Sequence, residues 1–229
     1  LDSSTKVAEY IGECRELGIK VLPPDVNESG AYFTVAGRNI RFGLTAIKNI
    51  GAKFISLLVA ERESNGPFRG LEEFCRRMSG KELNRRAVES LIKSGALDSL
   101  GLKRRAMLQM LDLILESIAA DGRGNIAGQY DLFGIEEGDP DEATLVPVPD
   151  VEEFDRRELM AMEKEMTGLY LSGHPMDEYR DAARHAGAVP IGPILDDFAN
   201  EAGPQEYMDG QHVTLAGVVE SSRTRTTKN

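Results

Sequence analysis

The chain has 229 residues, 41% of them hydrophobic and 28% charged, with no tryptophan and a formal net charge of −11. That length allows one or two domains with a sizeable core, and the absence of both a roughly 20-residue apolar run and a signal-type opening excludes a membrane span, so a cytoplasmic protein with no membrane partner is expected. The acidic total argues against a general nucleic-acid binder, but residues 1–120 carry 18 Lys and Arg against 15 acids and residues 121–229 carry 9 against 23, which assigns any polyanion partner to the first half.

In chain order, Ser4 or Thr5 caps a predicted helix through about Leu17, with Val7, Ile11, Cys14 and Leu17 on one face and Gly18 ending it. The chain opens on Leu1 and enters this pattern at once, as a piece of a longer protein or a processed terminus would. Pro23 and Pro24 stop any helix. The alternating runs "AYFTVAG" and "RNIRFGL", separated by Gly37 and Arg38, read as a small hairpin. From Leu44 to Ala120 the pattern is helical, with four apolar stripes. They are Phe54, Ile55, Leu58, Val59; Leu71, Phe74, Cys75, Met78; Leu83, Ala87, Leu91, Ile92; and Met107, Met110, Leu111, Ile114, Ile118. Cys14 and Cys75 have no C-x-x-C partner and read as reduced, partly buried thiols; His174, His185 and His212 lack zinc-ligand spacing.

The stripes are core, so function belongs to the turns between them. In "AIKNIGAKFI" a short helix ending near Ile47 meets the next through Lys48, Asn49, Ile50 and Gly51, with Lys53 on the following first turn. In "LIKSGALDSLGLKRRAML" the chain passes Ser99 and Gly101, and Lys103, Arg104 and Arg105 open the next helix. A helix N-terminus presents unpaired N–H groups, and a nearby glycine lets a phosphate approach the backbone. Three cations at a helix start oppose the dipole, which suggests an external anion. Ordinary helix hairpins with solvated Lys and Arg remain the plain alternative for each turn. The two turns together resemble the tandem helix-hairpin-helix module, which grips duplex DNA through backbone amides on phosphates. Asn49 stands where the family's first turn glycine would be, and Asn tolerates the left-handed conformation; the second turn, with Asp98 beside it, is looser.

Residues 121–157 hold 3 basic and 11 acidic side chains with prolines at 140, 147 and 149, the composition of an extended tether. Within it Gln129, Tyr130, Asp131, Leu132 and Phe133 lie between Gly128 and Gly134. An apolar pair on a tether either tucks onto its own domain or inserts into a partner's pocket. The five residues resemble the sliding-clamp-binding pentapeptide of bacteria. Further on, a helix with Leu159, Met162 and Met166 inward ends at Gly168, and a turn through His174 and Pro175 precedes a helix capped by Asp177. His174 has no nucleophile or orienting carboxylate in its pattern and reads as a turn residue. "HVTLAGVVESSRTRTTKN" alternates at Val213, Leu215 and Gly217, one strand and the start of another.

"PPDVNESG", "IRFGLTAIKNIG", "LIKSGALDSLG", "QYDLF" and "EKEMTGLYLSGHP" occur in the order found in the α subunits of bacterial DNA polymerase III, the C-family replicative polymerases, and the chain resembles that family over nearly its whole length. The resemblance implies a mainly α fold, a tandem helix-hairpin-helix bundle with a small N-terminal β-hairpin, an acidic tether, further helices and an incomplete C-terminal β segment like the start of an OB-fold. The implied domains are 1–40 as the end of the fingers, 41–120 for duplex binding, 121–157 as the tether, 158–209 as a helical connector and 210–229 as the OB start. It implies as partners double-stranded DNA, the sliding clamp (beta subunit) and other replicase subunits.

Catalysis by this chain alone is not expected. Two-metal phosphoryl transfer needs carboxylates on a rigid element, and the nearest pattern is Asp139-Pro140-Asp141 on the tether. No cofactor is expected in this segment; the resemblance places the polymerase's Mg at a palm site upstream. Two other readings stand beside it. One is a free-standing helix-hairpin-helix DNA-binding or repair protein in which QYDLF is accidental. The other is a helix-hairpin-helix glycosylase, which needs a catalytic acid soon after a hairpin; it is ranked last because Asp112, the acid that follows the second turn, has no matching basic partner in the pattern.

Overall fold

The computed structural model describes residues 7, 10–14, 17–124, 146–219, 222 and 224. Residues 10–14 are helical and Gly18, at φ +71°, turns the chain out of them. Leu17 lies in that turn and is exposed, so it does not complete the inward face the spacing suggests.

The expected hairpin forms. Strand β2 (Thr34–Ala36) pairs antiparallel with β3 (Asn39–Arg41), Val35 opposite Ile40, and Gly37 at φ +63° makes the turn. A third strand, β1 (Val21–Leu22), pairs parallel with β3. It is too short to show alternation, and Pro23 ends it. Beyond β3 the chain turns inward at Phe42 and Leu44, both buried. Gly43 passes against the backbone of Tyr32 and Phe33; a Cβ there would lie 2.7 Å from the Phe33 nitrogen.

Four helices follow on the expected stripes, except that Leu83 precedes the third helix, and Val59, Leu83 and Ile118 are half-buried. Helix α1 (Ala52–Asn65) buries Phe54, Ile55 and Leu58, and α2 (Leu71–Met78) buries Leu71, Phe74, Cys75 and Met78. Burial, with the nearby Glu72 charge, pushes the Cys75 thiol up to about 12, so it acts as a packing group. Asn84 caps α3 (Arg85–Lys93) by accepting the Ala87 N–H at 2.9 Å. Helix α4 (Arg104–Gly124) packs on both α2 and α3 and buries Met107, Met110, Leu111 and Ile114. Arg62 of α1 donates to the carbonyls of Val26 and Ser29, and Asn27 exchanges two hydrogen bonds with the backbone of Phe68, which ties the β segment to this core.

The chain divides into two compact units, 1–172 and 173–229. The first includes α5 (Arg156–Thr167), which packs on α3. The helix expected to open a separate connector after residue 157 therefore belongs to the core unit. Its buried residues are Met160, Glu163 and Met166, whereas Leu159 and Met162 are half-buried. The face is rotated because a charged residue, Glu163, is one of its inward members. Within the stretch expected as a tether, residues 146–155 have no helix or strand, and the Val146 N–H donates to Glu72 at 3.0 Å.

The second unit holds a 3-10 turn (Pro175–Tyr179), α6 (Arg180–His185) and α7 (Ile191–Ala199). His174 is the cap here, accepting the Met176 N–H, while Asp177 accepts the His174 N–H; the cap expected at Asp177 is thus reciprocal. Residues 211–219 form no strand, and Val213, Leu215, Val218 and Val219 are exposed. Alternation alone does not make a ladder; a strand needs a partner.

Candidate nucleic-acid interface

The first turn is built as a short 3-10 helix (Leu44–Ala46), a left-handed residue and the start of α1. Leu44 and Ile47 are buried and anchor the turn, and the Lys48 N–H donates to the Met166 carbonyl at 2.8 Å. Asn49 adopts φ +66°, the conformation its short amide side chain tolerates. Gly51 is the N-cap of α1 with no side-chain cap, and α1 has no acid in its first turn. A Cβ at Gly51 would meet nothing within 4 Å, so the path to the helix-start N–H groups is open. Lys48, Asn49, Gly51 and Lys53 are all exposed. Lys53 pairs with Glu82 at 2.6 Å, but both side chains are more than half exposed, and such a pair contributes at most about 1 kcal/mol. The ammonium of Lys48 has no partner among the described residues.

The second turn is arranged differently. Gly101, at φ +80°, ends a 3-10 turn (Asp98–Leu100), and Ser99, Gly101 and Lys103 are exposed. The anion that the run of cations suggests is internal. The Glu153 carboxylate accepts the N–H groups of Arg104 at 2.7 Å and Arg105 at 3.1 Å, the two amides a phosphate would use. Burial opposes that charge, but the N–H groups of Phe154, Arg105 and Arg104 outweigh it and hold the carboxyl below the ordinary range. Lys103 donates to the Val151 carbonyl at 3.1 Å, and Arg105 stacks 4.1 Å over Phe154 with Glu158 3.6 Å away.

Arg104 does not face solvent. It is buried, with Nε and Nη2 on Asp98 at 2.9 and 2.6 Å and Nη2 on Glu163 at 3.1 Å. The other Glu163 oxygen accepts the N–H groups of Leu171 and Ser172. Burial lowers the Arg104 pKa, and Asp98 and Glu163 more than restore it, so the guanidinium stays charged. Gly95, at φ +81°, lies so close to Arg104 that any Cβ would collide with the guanidinium. Arg104 and Arg105 join the second turn to residues 153–163, whereas Lys103 remains exposed.

Asp112, expected to lack a basic partner, has one: Arg85 donates to it at 2.6 and 3.3 Å and holds its carboxyl below the ordinary range. A glycosylase-type role loses its candidate. Gln129, Tyr130, Asp131, Leu132 and Phe133 lie outside the described residues, as do Asp139 and Asp141. Glu153 and Glu163 were not legible as site residues. The one signal for Glu163 is its spacing, three residues from both Met160 and Met166 on the inward face.

A helix-hairpin-helix motif family matches residues 18–107, the stretch that contains the first turn and the start of α4. The whole chain aligns, at 37% identity over 234 residues, with DNA polymerase III subunit alpha of Mycobacterium tuberculosis (strain ATCC 25618 / H37Rv). Over its whole length the chain is homologous to an internal segment of DNA polymerase III alpha subunits. The Deinococcus radiodurans alpha subunit is 37% identical over 99% of this chain, and that of Vibrio cholerae serotype O1 is 36% identical over 100%. The chain spans 19% of the length of the M. tuberculosis and V. cholerae alpha subunits and 17% of the D. radiodurans one.

Proposed function

We propose that this chain is the part of a replicative DNA polymerase III alpha subunit that grips the duplex and tethers the enzyme to the sliding clamp, without nucleotide incorporation of its own. The observation that carries the duplex half is the first turn: Asn49 left-handed, Gly51 uncapped and unobstructed, and Lys48 and Lys53 exposed beside it. Phosphates bound there by backbone N–H groups and two lysines would be gripped without base readout. The helix-hairpin-helix match supports this reading. The second turn contributes from its exposed rim, Ser99, Gly101 and Lys103; Arg104 and Arg105 serve to anchor residues 151–163.

Lys48→Ala with Lys53→Ala should weaken duplex binding, measured by fluorescence anisotropy across a salt series, and flatten the log–log salt slope by about 1.8, two phosphates at about 0.9 each. The loss should be equal for unrelated sequences; a sequence-dependent loss would indicate base contacts and a different module.

The clamp half rests on QYDLF in the acidic stretch, where Leu132 and Phe133 would fill an apolar pocket and Gln129 would bond at its rim. Titration calorimetry against a bacterial sliding clamp should show binding that disappears in Leu132→Ala, Phe133→Ala. Equal heats for both proteins would remove the tethering role. Other replicase subunits and a cytoplasmic setting belong to the same proposal.

A further inference from the structure

Two adjacent arginines open α3, and the fold treats them differently. Arg85 turns toward α4 and is committed to Asp112 and Glu89, at 2.6 and 2.7 Å. Arg86, about 100° further round the helix, is exposed and makes no ion pair or hydrogen bond with any described residue. Its strip of the helix is defined by Ser90, one turn on, and Ser90 is where the first hairpin touches α3: Asn49 Nδ2 donates to Ser90 Oγ at 3.4 Å. The approach to α3 meets the same hairpin a second time, through Glu82 and Lys53 at 2.6 Å. Arg86 therefore lies between the two points at which the first hairpin rests on α3. Side chains on a helix lean toward its N-terminus, and from position 86 that direction leads from Ser90 toward Glu82 and Lys53.

The charges around it are accounted for. Glu82 is matched by Lys53, and Glu89 by Arg85 and Lys93. Lys48 and Arg86 have no counter-charge among the described residues. The fold thus ion-pairs Arg85 and leaves its exposed neighbour without an ion partner among the described residues, beside an uncapped helix start.

We infer that Arg86 extends the phosphate-binding surface of the first hairpin, so that a nucleic-acid backbone seated at Asn49 and Gly51 continues onto the first turn of α3 and places a further phosphate on the Arg86 guanidinium. This rests on the duplex-binding reading above and adds a residue outside either hairpin turn. A planar guanidinium bonds a phosphate through two parallel N–H groups, which fixes the angle at which the backbone crosses α3.

The test uses the whole chain with a double-stranded oligonucleotide across a salt series, comparing the unaltered protein with Arg86→Gln, Arg86→Lys and, as an exposed cation on the β2–β3 turn, Arg38→Gln. Arg86→Gln should lower affinity about eightfold at 0.1 M salt and flatten the log–log slope by about 0.9, the counterion release of one phosphate. Arg86→Lys should keep the slope and lose only part of the affinity, and Arg38→Gln should match the unaltered protein. Circular dichroism melts check that the variants fold, as expected for an exposed residue with no ion pair or hydrogen bond to a described residue. Equal binding by Arg86→Gln and the unaltered protein, or an equal loss in Arg38→Gln, would overturn the inference while leaving the hairpin reading in place. Absence of duplex binding by the unaltered protein would overturn both.

Discussion

Single residues in this chain carry consequences through what they lie against. Gly43 has an ordinary backbone angle, φ −81°, so its requirement is purely steric: the backbone of Tyr32 and Phe33 occupies the space a methyl group needs. Gly43→Ala should destabilise by about 1–3 kcal/mol, the range for forcing volume into a packed region, seen as a lower urea midpoint with an unchanged slope. Glu163 is a different case. Its carboxylate joins buried Arg104 to two backbone N–H groups, and Glu163→Ala would leave all three to find new partners. Asp98, half exposed, would still hold the guanidinium, so the loss should fall near about 3 kcal/mol, the low end for breaking a buried pair. A variant within about 0.5 kcal/mol of the parent would show that the network contributes nothing net.

At the scale of elements, α1 and α2 are joined by an ionic cluster with a pH signature. Glu61 accepts from Lys81, Asn65 and Arg77, in that order of effect, and its pKa falls from an ordinary 4.5 to about 2. A carboxyl depressed in the folded state adds stability that is present above about 4.5 and is lost as pH falls toward 2. Urea midpoints should therefore separate the parent from Glu61→Gln above pH 5 and converge on acidification through that window; a gap independent of pH would mean that Glu61 acts by shape alone. The helices themselves were legible: the stripes at Phe54, Ile55, Leu58 and at Leu71, Phe74, Cys75, Met78 are buried as their spacing requires. The face of α5 was not, because a buried Glu is indistinguishable from a solvated one until its Arg is in place. The strand expected at 213–217 was also misread, since alternation describes one strand and a ladder takes two. Residues 146–155 look like free tether in composition, yet Glu153 satisfies the start of α4 from 48 residues away.

On the scale of the whole molecule, residues 146–163 of the acidic second half pack with the basic first half inside the first compact unit. Part of the positive charge is spent internally, Arg104 on Asp98 and Glu163 and Arg105 on Glu158, while Lys48 and Lys53 stay exposed at the first hairpin. On the duplex-binding reading proposed above, affinity should accordingly be modest and strongly salt-dependent. The sequence by itself determined the helices of the core, the β-hairpin and the two turns, because local periodicity and glycine placement are written in neighbouring residues. Only the tertiary structure decided which turn is open. That depends on which acids reach which groups, Glu153 and Glu163 the second turn and, among the described residues, none Lys48 or Arg86, and those pairings join residues tens of positions apart that no local pattern brings together.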